Sequence, residues 1–277
     1  MSTEAPLLIE PRELAQMLRG DEPPLVVHVG NPESHTHGHV PGAVFLPYEA
    51  LTRDEPPVSG LVPDDETLGQ ILSGIGLTPD RHIVAYDADN GGRAARLLYT
   101  LAIAGHDRMS MLNGGLTAWV NEAYPIEREL VTAQVSHYRV KRDDSHIADR
   151  DYILAHLEDP EVVILDVRSA DEYSGRDLKA KRGGHIPGAV HMEWTRAIDK
   201  SRHLRMRPFK ELQATLASLG VTPDREIIVY CQTHHRSAHT WALLKASGFE
   251  RVRGYPGAWS DWGNQPDTPI EIDESSR

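Results

Sequence analysis

The chain has 277 residues, of which 40% are apolar and 25% charged. At roughly 100–200 residues per domain this allows two ordinary cores and excludes a mini-protein or a disordered chain. A net charge of −12 argues against a nucleic-acid backbone or anionic lipid as the main ligand, and no apolar run reaches the roughly 18 residues of a membrane span.

In chain order, Leu25–Val29 is a β-branched apolar run that reads as a buried parallel strand. A turn follows at His39-Val40-Pro41-Gly42-Ala43-Val44. After Leu77-Thr78-Pro79-Asp80-Arg81 comes a second strand, Ile83–Tyr86. Arg93–Ala104 has helical periodicity and stops at Gly105, and Gly115-Leu116-Thr117-Ala118-Trp119 closes the series. The series then returns. Val162–Asp166 is a strand, His185-Ile186-Pro187-Gly188-Ala189-Val190 repeats the turn, and Val221-Thr222-Pro223-Asp224-Arg225 leads into the strand Ile227–Tyr230. A helix over Ser237–Ser247 ends at Gly248, and Tyr255-Pro256-Gly257-Ala258-Trp259 matches the earlier closing block. The blocks keep their order and nearly their spacing, so the chain is a duplication. Strand, loop, helix and strand in each copy predict an α/β fold with a mainly parallel sheet flanked by helices. The expected boundaries are a first domain over 1–126, a charged linker over 127–150 without a repeat counterpart, and a second domain over 151–277.

Cys231 is the single cysteine, so an intrachain disulfide and a cysteine-rich zinc module are impossible. The reducing cytoplasm is the expected location, since Met1–Pro6 lacks the basic and apolar regions of a secretory signal. Cys231-Gln232-Thr233-His234-His235-Arg236 joins a strand to a helix. Ligands of open α/β sheets bind at such crossovers, where the helix offers free N–H groups and the positive end of its dipole. Loop amides, Arg236 and a protonated His234 or His235 would all favour a thiolate on Cys231. The first copy has Asp87 in place of the cysteine.

With these residues in view, the sequence resembles the tandem-domain rhodaneses, thiosulfate sulfurtransferases, along its whole length. The resemblance rests on Asp166-Val167-Arg168-Ser169 at the strand end, the His185 turn and the Cys231–Arg236 loop, in that order. It implies two rhodanese-like domains, the first inactive and the second catalytic. It also implies double displacement: Cys231 takes the outer sulfur of thiosulfate or a related donor as a persulfide, and cyanide, a thiol or a sulfur-accepting protein removes it. No cofactor beyond that persulfide is implied, and the enzyme is expected to act as a monomer. Arg236 is the expected anion-binding cation. Gln232, Thr233, His234 and His235 would supply backbone N–H groups, and Trp194 a pocket wall. Asp166, Arg168 and His185 would support the site, with Asp166 and Arg168 read as a structural ion pair. The loop matches neither Cys-Arg-Lys-Gly-Val-Thr nor the Cys-Gly-Ser-Gly-Val-Thr of mercaptopyruvate enzymes, and Glu172 stands where the thiosulfate subfamily has an Arg. Arg168, Arg176 and Arg182 are candidates for that missing cation, Arg182 first among them. The alternatives are a 3-mercaptopyruvate sulfurtransferase and a non-catalytic sulfur carrier or regulatory module.

Other readings are weaker. A phosphatase of related fold has five residues between Cys and Arg, and Cys231 and Arg236 enclose only four. His35, His37 and His39 alternate as zinc or nickel ligands could, but His39 belongs to the repeated turn, so no metal is expected. Asp89-Asn90-Gly91-Gly92-Arg93 lacks the Lys-Ser/Thr ending of a phosphate loop.

Overall fold

The computed structural model describes residues 5–272; Met1–Glu4, part of the stretch read for a signal, lie outside them. Two compact units are present. One comprises the chain to Leu51, Pro63–Asp144 and Ile198–Met206; the other comprises Thr52–Val62, Ser145–Ala197 and the chain from Arg207.

The first unit carries a five-stranded sheet in the order Leu8–Ile9, Met109–Leu112, Ile83–Tyr86, Leu25–Gly30, Val44–Pro47, parallel throughout. The second carries four strands in the order Val252–Gly254, Glu226–Tyr230, Val162–Asp166, Val190–His191, also parallel. All residues of Leu25–Gly30 and Ile83–Tyr86 are buried, which is why these strands read as continuous apolar runs rather than alternating ones. The helices Gly92–Ile103 and Arg236–Ala246 follow the central strands and bury most of their residues.

The repeated turn has a structural cause in both units. The Val40 N–H donates to the Tyr86 hydroxyl at 3.0 Å, and the Ile186 N–H to the Tyr230 hydroxyl at 3.2 Å. Each turn therefore satisfies a tyrosine buried at the end of a central strand. Gly42 and Gly188 have φ of +74° and +72° with open space where a Cβ would sit, so it is the left-handed turn that calls for glycine. Their amides donate to the carboxylates of Glu127 and Glu271 at 2.9 and 3.0 Å.

That last pair corrects the expected linker. Pro125-Ile126-Glu127 recurs as Pro269-Ile270-Glu271, and the indoles of Trp119 and Trp262 donate to the carbonyls of Pro125 and Pro269. The counterpart of Trp119 is therefore Trp262 and not Trp259, three residues off the register expected for the closing block. The repeat thus extends past residue 126. The segment beyond it is no free linker: Ser136 and Tyr138 amides bond to Ser73, and those of Lys141 and Asp143 bond to the carbonyls of Ala104 and Ile103. Polar composition looked like a linker because an extended strap satisfies its backbone with backbone partners and buries few side chains.

The units also depart from the expected boundaries through two short hairpins. Arg53–Glu55 pairs with Val58–Leu61 inside the second unit, and Ile198–Asp199 pairs with Arg205–Met206 inside the first. In the first unit, the Met206 amide donates to Asn113 Oδ1 at 2.8 Å, and Arg205 pairs with Glu10 and Glu122. Each unit is completed by a hairpin from the other half of the sequence.

Candidate active site

Tyr230 and Asp166 pair at the carboxyl ends of neighbouring strands, and the chain enters the loop at Cys231. Two amides from the short helix Ala258–Trp262 hold that loop from behind: Trp259 N–H donates to the Cys231 carbonyl and Ser260 N–H to the Gln232 carbonyl, both at 3.0 Å. With those carbonyls held outward, the following N–H groups are free to face the sulfur. Amides of Thr233 and Ser237 do so.

Cys231 is 1% exposed. Burial pushes its thiol up, but the Arg236 guanidinium, the Ser237 hydroxyl and the two amides outweigh it and hold the pKa below the ordinary thiol value. Ser237 Oγ lies 3.3 Å from Sγ and 2.8 Å from His234 Nδ1. His234 has φ of +55°, a left-handed conformation that costs a non-glycine residue on the order of 1 kcal/mol. Its ring is fully buried and turned to Ser237 rather than exposed at the mouth of the site.

Arg236 Nη1 and Nη2 bind Glu172 Oε2 and Oε1 at 2.6 and 2.7 Å. Burial raises the Glu172 carboxyl, but Arg236 and Ser169 together pull it down to about 2. The glutamate standing where an Arg was expected is thus the partner of the site's cation.

Arg182, placed first among the additional cations, does not serve as one. Its guanidinium donates to the carbonyls of Trp262, Gln265 and Thr268 and to the Thr268 hydroxyl, which anchors the last segment of the unit. Arg176 pairs with Asp171 at the surface. Arg168 and Asp166 form a buried ion pair of 2.6 Å, with Arg168 also donating to the Gly184 carbonyl and stacking 4.3 Å from the Trp259 ring. His185 stacks on Tyr173 at 3.8 Å and bonds to its carbonyl. These groups brace the loops around the site. The Gln232 side chain donates to the Lys179 carbonyl, and Trp194 lies against the rings of His235 and His239.

Three contributors escaped sequence reasoning. Ser237 was legible only as a helix start. Ser59 and Gly60 belong to the hairpin from the first half: Ser59 exchanges hydrogen bonds of 2.9 Å with Ser260, and a Cβ on Gly60, φ +79°, would collide with the Thr233 carbonyl. No local signal ties residue 60 to residue 233.

The first unit repeats the loop clamp without the chemistry. Leu116 N–H donates to the Asp87 carbonyl at 2.9 Å. The Asp87 carboxylate accepts from the amides of Asp89, Gly91, Arg93 and Ala94, each at 3.0 Å, so the anion cradle is filled by its own side chain. Where the second unit has Asp166, the first has His28, which meets His35 through the Nδ1 atoms at 3.0 Å. Among the described residues no group of His, Cys, Asp or Glu is arranged to hold a metal ion.

Compared with known families, residues 10–122 and 149–265 both match the rhodanese-like domain. The chain belongs to the rhodanese family. Within it, the chain is 42% identical over 267 residues to a thiosulfate sulfurtransferase of Azotobacter vinelandii, covering 96% of this chain and 97% of the relative. It is 38% identical to one from Pseudomonas aeruginosa, covering 98% of both. A sulfur carrier protein of Thermus thermophilus is 33% identical, over 84% of this rhodanese and 85% of the relative. Among solved structures, an anaerobic ergothioneine biosynthesis enzyme from Chlorobium limicola, in complex with trimethyl histidine, superimposes with a TM-score of 0.86 at 24% identity. That match covers 96% of this rhodanese and 70% of the enzyme, and it shows the shared fold.

Proposed function

We propose that the chain is a thiosulfate sulfurtransferase in which Cys231 carries the transferred sulfur. The observation that carries this reading is the setting of the chain's one thiol, whose pKa Arg236, Ser237 and loop amides draw below the ordinary thiol value against the effect of burial. The thiolate attacks the outer sulfur of thiosulfate; the S–S bond breaks, sulfite leaves with the electron pair, and a Cys231 persulfide remains. Cyanide or a thiol then attacks the outer sulfur and releases the Cys231 thiolate. Developing anions need fixed donors rather than a general base, and the converging amides supply them. The name of the Thermus relative supports a sulfur-accepting protein as a natural acceptor. A monomer in the cytoplasm fits a lone thiol that must stay reduced, and among the described residues no helix is long and apolar enough to cross a membrane.

Intact mass spectrometry tests the reading. After thiosulfate the wild type gains the mass of one sulfur atom and cyanide returns it, whereas Cys231→Ser stays unmodified and inactive. A Cys231→Ser variant that still turned over would overturn it.

A further inference from the structure

The loop and the first turn of the following helix place three buried polar atoms in a row: His234 Nδ1, Ser237 Oγ and Cys231 Sγ, separated by 2.8 and 3.3 Å. All three residues are at most 1% exposed, so water does not complete their hydrogen bonding. A hydroxyl has one proton to give. A thiolate can only accept, so that proton points at sulfur. Ser237 Oγ can then meet His234 only as an acceptor, and the imidazole must carry its proton on Nδ1.

We propose that His234 is a positioning residue for sulfur transfer: through its Nδ1–H it holds the Ser237 hydroxyl with the proton directed at Cys231, and so sustains the thiolate. This rests on Cys231 being the sulfur-bearing group. No proton changes place in the role assigned to His234. Nδ1 and Ser237 keep their protons, and when the acceptor takes the sulfur the returning charge on Cys231 meets a hydroxyl already aimed. The backbone at His234 serves the same end. Its left-handed φ of +55° turns the ring inward under the loop, and a histidine tolerates that conformation better than a branched residue does. The charged group facing the sulfur is Arg236, itself paired with Glu172; His235 and His239 lie on the Trp194 side. Arg236 supplies charge and Ser237 supplies direction, so losing the His234 anchor leaves the first intact and removes the second.

The test uses the full chain and iodoacetamide, whose reaction rate against pH reads the thiolate midpoint without requiring any sulfur donor. Ser237→Ala raises the midpoint by about one pH unit, as loss of a hydrogen bond to a charged group does. His234→Gly keeps the left-handed backbone, loses the donor, and shifts the midpoint in the same direction. His234→Asn, which tolerates that backbone and restores an N–H donor, returns it toward the wild type. Combining His234→Gly with Ser237→Ala adds little to Ser237→Ala alone, since both act on one chain of bonds. In the wild type, two-bond ¹⁵N–¹H spectra place the His234 proton on Nδ1, a readout independent of any variant. A proton on Nε2 alone, or a His234→Gly midpoint equal to the wild type beside a shifted Ser237→Ala, would overturn the proposal. Alkylation midpoints that move as stated in a protein unable to transfer sulfur would retain the His234–Ser237–Cys231 hydrogen-bond chain and reject the proposed function, and with it the link to sulfur transfer.

Discussion

Glu172 holds Arg236 in a bidentate ion pair, 2.6 and 2.7 Å long, with the carboxylate side chain 5% exposed and the guanidinium 22%. The cation beside Cys231 is therefore already paired with a carboxylate before any anion arrives. Planar fork-to-fork pairing fixes its orientation as a lysine could not.

Arg236→Ala removes the charge that favours the thiolate and leaves Glu172 buried without its partner. Loss of a charged hydrogen bond worth roughly 1.5–3 kcal/mol lowers kcat/KM for thiosulfate by about ten- to a hundredfold. Glu172→Gln acts in the opposite direction on binding, lowering the thiosulfate KM, because the guanidinium keeps a hydrogen-bond partner and gains net charge. Steady-state kinetics with cyanide as acceptor check both; a raised KM in Glu172→Gln would show that orientation, not charge, limits binding.

Gly60→Val strains a backbone at φ +79° and drives a side chain into the Thr233 carbonyl. The collision displaces an amide-bearing stretch of the active loop, so kcat/KM falls at least tenfold on the rule that small misplacements of a site are costly. Gly188→Ala is the control, since its φ of +72° is similar but its surroundings are open. Equal activity of the two variants would detach the hairpin from the site.

Asp87→Ala takes the acceptor away from four loop amides. Of these the Ala94 bond is the buried one, and an unsatisfied buried donor costs about 1–3 kcal/mol, so the urea midpoint drops by a stability loss of that order. Asp87→Cys in a Cys231→Ser background stays inactive, because that loop is built around a carboxylate with two oxygens and is one residue longer before its Arg. Turnover near wild type would refute this.

Acid stability falls in a defined window. Burial, with His35, His39 and Arg93 adding to it, pushes His28 down to about 3; burial and His39 push His35 down to about 4. Below the unfolded value near 6.5 the unfolded chain binds protons that the folded one refuses, so each group removes up to about 1.4 kcal/mol per pH unit until its folded value is reached. Glu172 adds to the loss between 4.5 and about 2, where its carboxylate becomes protonated. Urea unfolding at pH 7 and pH 5 checks the slope, which His28→Gln and His35→Gln should flatten; equal stability at both values would contradict it.

The sequence by itself determined the duplication, the parallel α/β units, the family and the placement of Cys231, because each depends on local pattern: β-branched runs, a left-handed Pro-Gly turn, a strand running into a helix. It led astray where an outcome depends on which distant groups meet. Arg182 and Arg236 are alike as sequence, yet one is consumed by the carbonyls of Trp262, Gln265 and Thr268 and the other stands beside sulfur. The strap after Glu127 looked like a linker since backbone pairing leaves no side-chain signature, although the Pro-Ile-Glu repeat was there to be read. Only the tertiary structure decided that Glu172 partners Arg236, that His234 turns inward to Ser237, and that Gly60 from the first half packs on Thr233 in the second unit. The first and last are contacts across long sequence separation, set by packing and complementary charge rather than by periodicity, and the His234 contact, though local, depends on a left-handed backbone.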